Sequence, residues 1–271
     1  MKATLDRLAW PTQLETEIFN KLTLQHAPDF PSTRFCNLRS PATEEELEHF
    51  CRFCIVEAAR DLFVVQVCGK VIDRLPDPEL QLFLSRQIGD DGAHAQHTRH
   101  RIWELSGRDP LLKIQQEVQK HWNFMGDLPY RNWLGFVAFE LHYKLHVVAM
   151  SIANSRTAKI GDLETSHISE RILPNELFHR LGVVAWWQRK YEQASSQEKA
   201  NLAAELIQRD EDSQQRRNAY LKEYWQIAHR ATGIETEALP AIYDAWRQEV
   251  LSYLLDIPIS QLPKLVSVNA S

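Results

Sequence analysis

The sequence predicts an all-α protein. The chain has only nine glycines in 271 residues, and long stretches of it lack proline, a composition that favours helices. No run that alternates in polarity and is rich in Val, Ile and Thr stands out as a strand. With 44% hydrophobic residues, the chain can bury a substantial core. We expect one helical domain over residues 1–271, with a four-helix core at 43–193 and a helical extension at 194–271.

The first core helix has a recognisable start. Before it, several prolines interrupt the chain and predict an irregular lead-in of about 40 residues. Thr43 then precedes Glu44, Glu45 and Glu46, a pattern typical of an N-cap followed by an acidic first turn. Apolar residues keep the helical period from there to about Arg74.

The second core helix begins near Asp77 and Pro78, because Asp followed by Pro fits an N-cap and the first helical position. Gly107 predicts its end. Residues 108–130 predict a crossover connection with some helical content, as a bundle with two hairpins requires.

Two further core helices follow. The third is predicted over 131–156, and the fourth over 176–193 with Pro174 near its start or at a kink. Beyond them, we expect a charged helix over 196–229, one more helix and a tail.

Charge and composition limit the classes of partner that we expect for the protein. The net charge is -5 and no basic tract occurs, which argues against nucleic acid and anionic membranes as partners. The N-terminus has no signal-peptide form, and the longest apolar runs look too short and too interrupted to span a bilayer. We therefore expect a cytoplasmic protein.

Four cysteines lie in the first quarter of the chain: Cys36, Cys51, Cys54 and Cys68. The spacing of Cys51 and Cys54 matches a redox or zinc motif, but the pair falls inside a predicted helix and no second pair exists. We interpret them as small buried hydrophobic residues.

A carboxylate and histidine pattern occurs twice in the predicted core. In each copy, a lone glutamate on one helix is followed, at a nearly equal separation, by an acid-x-x-histidine pair on the next. Residues three apart share a helix face, so each pair can bind one metal ion. The predicted ligands are Glu57, Asp91, His94, Glu140, Glu176 and His179.

Each of these residues also has a structural interpretation. Glu57, Glu140 and Glu176 could pair with Arg60, Lys144 and Arg180 on their own helices. His94, His97 and His100 could form a polar stripe or a different metal arrangement. The coincidence of two similarly spaced copies favours the metal site.

The pattern resembles the ferritin-like di-iron carboxylate proteins, in which two helices each supply a Glu and two others each supply Glu-x-x-His. Asp90-Asp91-Gly-Ala-His94-Ala and Asn175-Glu176-Leu-Phe-His179-Arg are similar to the Asp-Glu-x-x-His-Ala form common in that superfamily. The resemblance covers about residues 43–193 and implies the six ligands named above, with Asp91 departing from the usual glutamate.

The resemblance also implies a chemistry. Two iron ions, with O2 as co-substrate, would make the protein an oxygenase or oxidase acting on a small or acyl-linked organic substrate, with an external electron donor. Manganese or a mixed pair fits the same ligands, and a homodimer is compatible with this family. The alternative is a non-enzymatic iron-binding or scaffold protein, which the aspartate and its glycine neighbours favour.

Other residues near the pattern are candidates for supporting roles at the metal site. Tyr143, three residues after Glu140, is a candidate for a second-shell hydrogen bond or a radical role. Relatives that oxidise amines are expected to carry a third histidine where this chain has Ile172. His97, or His142 and His146, could substitute from another direction.

Overall fold

The structure is a computed structural model that describes residues 12–32, 38–75 and 77–268. Within these ranges the chain is helical, and its β structure is limited to an isolated bridge between Arg39 and Ile160. The prediction of an all-α protein is confirmed. The helices are α1 (Thr12–His26), α2 (Glu44–Val71), α3 (Pro78–Ser106), α4 (Leu111–Met125), α5 (Leu128–Arg131), α6 (Trp133–Glu140), α7 (Val148–Thr157), α8 (Leu163–Gln193), α9 (Ser196–Thr232) and α10 (Leu239–Leu255), with a π-helical segment at Leu141–Leu145 and a 3-10 turn at Ile259–Gln261.

The ends of α2 and α3 confirm the local signals. The side chain of Thr43 accepts a hydrogen bond from the Glu46 N–H, and Asp77 accepts from the first free N–H groups of α3. Gly107 closes α3 in the left-handed conformation at φ 69°, which glycine adopts without steric cost.

Two predicted boundaries are wrong. The lead-in contains α1, which ends before Pro28 and buries Phe19 and Leu22 in the core. The fourth core helix starts at Leu163 rather than near Glu176, because Asp162 caps it by accepting the Thr165 N–H. Pro174 lies inside this helix instead of near its start. Pro11 and Cys36 lie outside the described residues.

The third core helix is not a regular α-helix. Between α6 and α7, the His146 N–H bonds the Leu141 carbonyl at 2.7 Å, five residues back, which widens one turn into a π-helix. Residues 134–150 are buried throughout. Since a π-turn changes the angular spacing of side chains, this segment presents functional groups to several neighbouring helices.

The helices pack around α2, which contacts α3, α4 and α9, while α8 packs on α3 and α10 on α1. The apolar core continues from this centre into the segment predicted as an extension, through Trp225, Trp246 and Leu251. Cys51 and Cys54 are buried free thiols in α2, in agreement with their interpretation as small hydrophobic residues.

One stretch, Trp133–Thr157, is long and apolar enough to cross a membrane, contrary to the expectation from the sequence. Of its most apolar window, 89% is buried inside the fold, as in the core helix of a soluble protein.

Candidate metal centre

Four of the six predicted ligands converge between α3 and α8. Nδ1 of His94 lies 3.5 Å from Asp91 Oδ1 and 3.4 Å from Glu176 Oε1. Nδ1 of His179 lies 3.6 Å and 3.7 Å from the same two oxygens. Each helix contributes an acid and a histidine three residues apart, which share one face. The ligand atoms of Asp91, His94 and Glu176 lie within 4.8 Å of one another. His179 approaches the same two carboxylate oxygens but lies outside this three-residue group.

The separations between these donors exceed those of normal hydrogen bonds, about 2.7–3.2 Å. Accordingly, Nδ1 of both histidines and Asp91 Oδ2 are buried without a hydrogen bond. Tetrahedral donors bound to one ion at about 2.1 Å would lie about 3.4 Å apart. The spacing of Asp91, His94 and Glu176 is therefore compatible with a metal ion held by these three residues.

The Nε2 atoms of the two histidines, which do not face the carboxylates of Asp91 and Glu176, have polar neighbours of their own. His179 Nε2 lies 3.2 Å from Asp90 Oδ2, and His94 Nε2 lies 3.3 Å from the Asn175 side-chain amide. A carboxylate on the outer nitrogen orients an imidazole and raises its basicity, as is common behind metal-bound histidines.

A lysine adjoins the convergent carboxylates. Nζ of Lys144, in the π-helical segment, lies 2.8 Å from Asp91 Oδ1 and 3.0 Å from Glu176 Oε1, and the residue is only 2% exposed. Burial alone would lower the pKa of Lys144, but the two carboxylates outweigh burial and raise it. The ammonium is therefore charged and partly neutralises the cluster.

The two lone glutamates of the pattern stand apart from the other four. Both oxygens of Glu140 accept from Gln87 Nε2 at 3.1 Å. Burial raises the pKa of Glu140 to about 7, although Lys144 opposes this shift. Glu57 instead pairs with Arg60 at 3.0 Å on its own helix, which is the ion pair that its sequence spacing allowed.

The ion pairs that the sequence suggested for Glu140 and Glu176 are replaced by others. Lys144 contacts Asp91 and Glu176 rather than bonding Glu140. Arg180 bonds Glu15 of α1 at 2.6 Å, so Glu176 is left to the cluster.

The remaining histidines lie elsewhere. His97 and His100 are exposed. His142 and His146 face α9, where their Nε2 atoms lie 3.1 and 2.9 Å from Asp210 Oδ1. Burial lowers the pKa of both imidazoles, and a buried arginine neutralises this aspartate. This second group is a hydrogen-bonded ion network, and it supplies no third histidine to the first.

Tyr143 points in yet another direction from the π-helical segment. Its hydroxyl lies 2.7 Å from Nδ1 of His121 on α4, and its ring stacks on Phe139. This hydrogen bond joins Tyr143 to a histidine outside the predicted ligand set, so the role expected of Tyr143 beside the metal ligands stays a prediction.

Sequence reasoning missed three members of the site: Asp61, Gln87 and Lys144. Asp61 follows Glu57 by one helical turn, and Gln87 precedes Asp91 by one turn, so helical spacing could have found both. Asp61 is 6% exposed, and burial raises its pKa to about 7 despite the opposing charge of Arg60.

A cavity of about 310 Å³ adjoins the site. Glu176 of the centre lines it together with Glu57 and Asp61 of α2, and residues of α7 and α8 also contribute to its wall. Its size falls at the lower end of the range for small-molecule sites. A ligand in it would lie directly beside the convergent carboxylates.

Comparison with known proteins adds no assignment. No protein-family model matches the chain, and neither the curated proteins nor the solved structures that were searched gave a significant match.

Proposed function

We propose that this protein is an O2-dependent di-metal oxidoreductase, with a ferritin-like arrangement of α2, α3, α6–α7 and α8, that oxidises a small organic molecule in the adjoining cavity. One observation carries the proposal. Asp91, His94 and Glu176 bring three ligand atoms within 4.8 Å of one another, and His179 Nδ1 lies 3.6 and 3.7 Å from the same two carboxylate oxygens. Nδ1 of both histidines and Oδ2 of Asp91 are buried without a hydrogen bond.

The charges of the site support a bound cation. Asp91 and Glu176 share the ammonium of Lys144, and the charges of Asp91 and Lys144 also act on the buried Glu140. Burying carboxylates without matching positive charge is costly. One divalent ion would neutralise the net charge of these three carboxylates and the Lys144 ammonium. A second ion would repel the ammonium and favour movement of the Lys144 side chain away from the carboxylates.

Specific residues would hold the ions. Asp91, His94, Glu176 and His179 would hold the first, and Glu140 is the further buried carboxylate that would help to hold a second. Iron or manganese bound to such oxygen and imidazole ligands supplies reducing electrons for O2. We assign Glu57 to the cavity wall instead, because its carboxylate is paired with Arg60.

The other side chains have supporting roles in this proposal. Asp90 orients His179, and Gln87 fixes both oxygens of Glu140. The apolar core around α6 and the π-helical segment would limit access of water to the reaction. An external electron donor would be needed wherever the substrate does not supply all the electrons that O2 accepts.

The test is an anaerobic titration of the metal-free protein with Fe²⁺, followed by exposure to O2 with O2 consumption recorded. We expect about two ions per chain. Glu176→Ala and His179→Ala should abolish stoichiometric binding, whereas His100→Ala, an exposed histidine on the same helix as His94, should leave it intact. Unchanged metal content and O2 consumption in both ligand variants would overturn the proposal.

A non-enzymatic helical protein is the second candidate, and the position of Lys144 favours it. Its ammonium contacts both carboxylates of the convergent set and can serve as their permanent counterion. Failure of the metal-free protein to bind Fe²⁺ or Mn²⁺ stoichiometrically, together with full stability, would select this candidate.

A further inference from the structure

The cavity beside the metal centre has an uneven charge distribution. Among the described residues that line it, the charged ones are Glu57, Arg60, Asp61, Asp162, Glu170 and Glu176. Arg60 is the one cation of this set, so the cavity attracts positive charge.

Most of these acids already have a cationic partner nearby. Glu57 pairs with Arg60 at 3.0 Å, Asp162 pairs with Arg101 outside the cavity wall, and Glu176 pairs with Lys144.

Asp61 is less well matched. Its contact with a cation is to Arg60 at 3.5 Å, longer than a normal charge-assisted hydrogen bond, and Arg60 is already engaged by Glu57. Asp61 is nevertheless 6% exposed. A buried carboxylate of this kind is stabilised by an additional positive partner, and the cavity provides the space for one.

The wall also contains large apolar side chains. Phe50 and Phe53 of α2, Met150 of α7, and Ile168 and Ile172 of α8 line it. The volume of about 310 Å³ is roughly twice that of an apolar cavity that holds benzene, about 150 Å³. A molecule of about a dozen non-hydrogen atoms fits this space.

The cavity has a route to solvent. Ser151 and Leu173, both among its lining residues, are exposed, Leu173 by 57%. A ligand can therefore enter between α7 and α8 without unfolding of the bundle.

We propose that the cavity binds a small primary amine, with the ammonium at Asp61 and an apolar body along Phe50, Phe53 and Ile172. Naming this amine as the substrate rests on the proposed function, whereas its binding does not. Asp61 and Glu176 both line the cavity, so an ammonium at Asp61 would share the cavity with a carboxylate of the metal centre.

Calorimetry on the metal-free protein tests the binding. The probes are 2-phenylethylamine, the uncharged 2-phenylethanol and the anion phenylacetate. We expect the amine to bind about tenfold or more tightly than the alcohol, because one charge-assisted hydrogen bond in a buried site gives that factor, and phenylacetate to bind most weakly.

Substitutions distinguish the effect of the Asp61 charge on amine affinity from the effect of the cavity's shape. Asp61→Asn should bring the affinity for the amine to that for the alcohol. The control Asp73→Asn changes an exposed aspartate just beyond the end of α2 and should change neither affinity. Ile172→Phe, which fills the cavity, should weaken both probes alike and provides a second test if Asp61→Asn does not fold.

Equal affinity for the amine and the alcohol, absence of binding by both, or full amine preference in Asp61→Asn would each overturn this inference. The Fe²⁺ titration is independent of these results. A protein that binds iron and consumes O2 but shows no amine preference would retain the proposed function and lose this substrate class.

Discussion

Replacing Lys144 by methionine removes the buried ammonium but keeps most of the side chain's apolar length. In the wild type, Nζ lies 2.8 Å from Asp91 Oδ1 and 3.0 Å from Glu176 Oε1, and the residue is 2% exposed. The variant leaves two buried carboxylates without this partner. In the absence of metal, breaking a buried ion pair in this way costs about 3–5 kcal/mol.

The variant can limit the loss by protonating one carboxyl group. For a carboxyl with an ordinary pKa near 4, protonation at pH 7 costs about 4 kcal/mol, at about 1.4 kcal/mol per pH unit. The cost falls to about 1.4 kcal/mol at pH 5. Because the folded variant then binds a proton that its unfolded chain does not, its stability relative to the wild type rises as the pH falls.

Urea denaturation at pH 7 and pH 5, with and without Mn²⁺, measures these effects. We expect Lys144→Met to lose about 3–5 kcal/mol at pH 7 without metal. Mn²⁺ at 100 times Kd should raise the stability of the variant by about 2.7 kcal/mol, because the bound ion supplies positive charge that Lys144 no longer provides. The control Lys113→Met changes an exposed lysine of α4 and should stay within about 0.5 kcal/mol of the wild type.

Two results would refute the reasoning. If metal-free Lys144→Met is as stable as the wild type at pH 7, the ammonium does not neutralise the cluster. If saturating Mn²⁺ does not stabilise Lys144→Met, the carboxylates that contact Lys144 do not bind the ion.

The remaining predictions concern the frame that holds the site. Gly182→Ala should destabilise the protein by about 1–3 kcal/mol, because a Cβ there would lie 2.0 Å from the Phe83 ring; Phe83→Leu in the same chain should recover much of this loss, and a fully additive double variant would contradict the contact. Asp162→Asn keeps a capping oxygen for α8 but loses the charge. The hydrogen bond from Arg101 holds the pKa of Asp162 at about 2, below its usual 3.8, so the stabilisation is present above about pH 4 and is lost as the pH falls towards 2. We expect a loss of about 1–2 kcal/mol at pH 7 after allowance for solvent screening, and none near pH 2, by thermal unfolding across that range; a loss that does not vary with pH would contradict the pairing.

The sequence determined the features that depend on a few neighbouring residues. Thr43, Asp77 and Gly107 fixed the ends of α2 and α3, because a cap is completed within one turn of the chain. The acid-x-x-histidine pairs of α3 and α8 could be found for the same reason. Their spacing places both members of each pair on one face, whatever the helix packs against.

Local signals misled where packing outweighed them. The prolines of the lead-in led us to predict irregular structure where α1 forms. The residues between Pro11 and Pro28 contain no proline, and burial of Phe19 and Leu22 in the core stabilises the helix there. Pro174 suggested a boundary, yet α8 continues through it, because the cap at Asp162 and contacts with α3 stabilise the longer helix.

Only the tertiary structure decided which charges meet. Lys144 could pair with Glu140 on its own helix, but the π-helical turn and the approach of α3 and α8 bring it to Asp91 and Glu176 instead. Glu57 kept its local partner Arg60. The helical period predicts which face of its own helix a side chain occupies. Which residue that side chain then meets depends on how the other helices pack, and a pattern within one helix does not specify this packing.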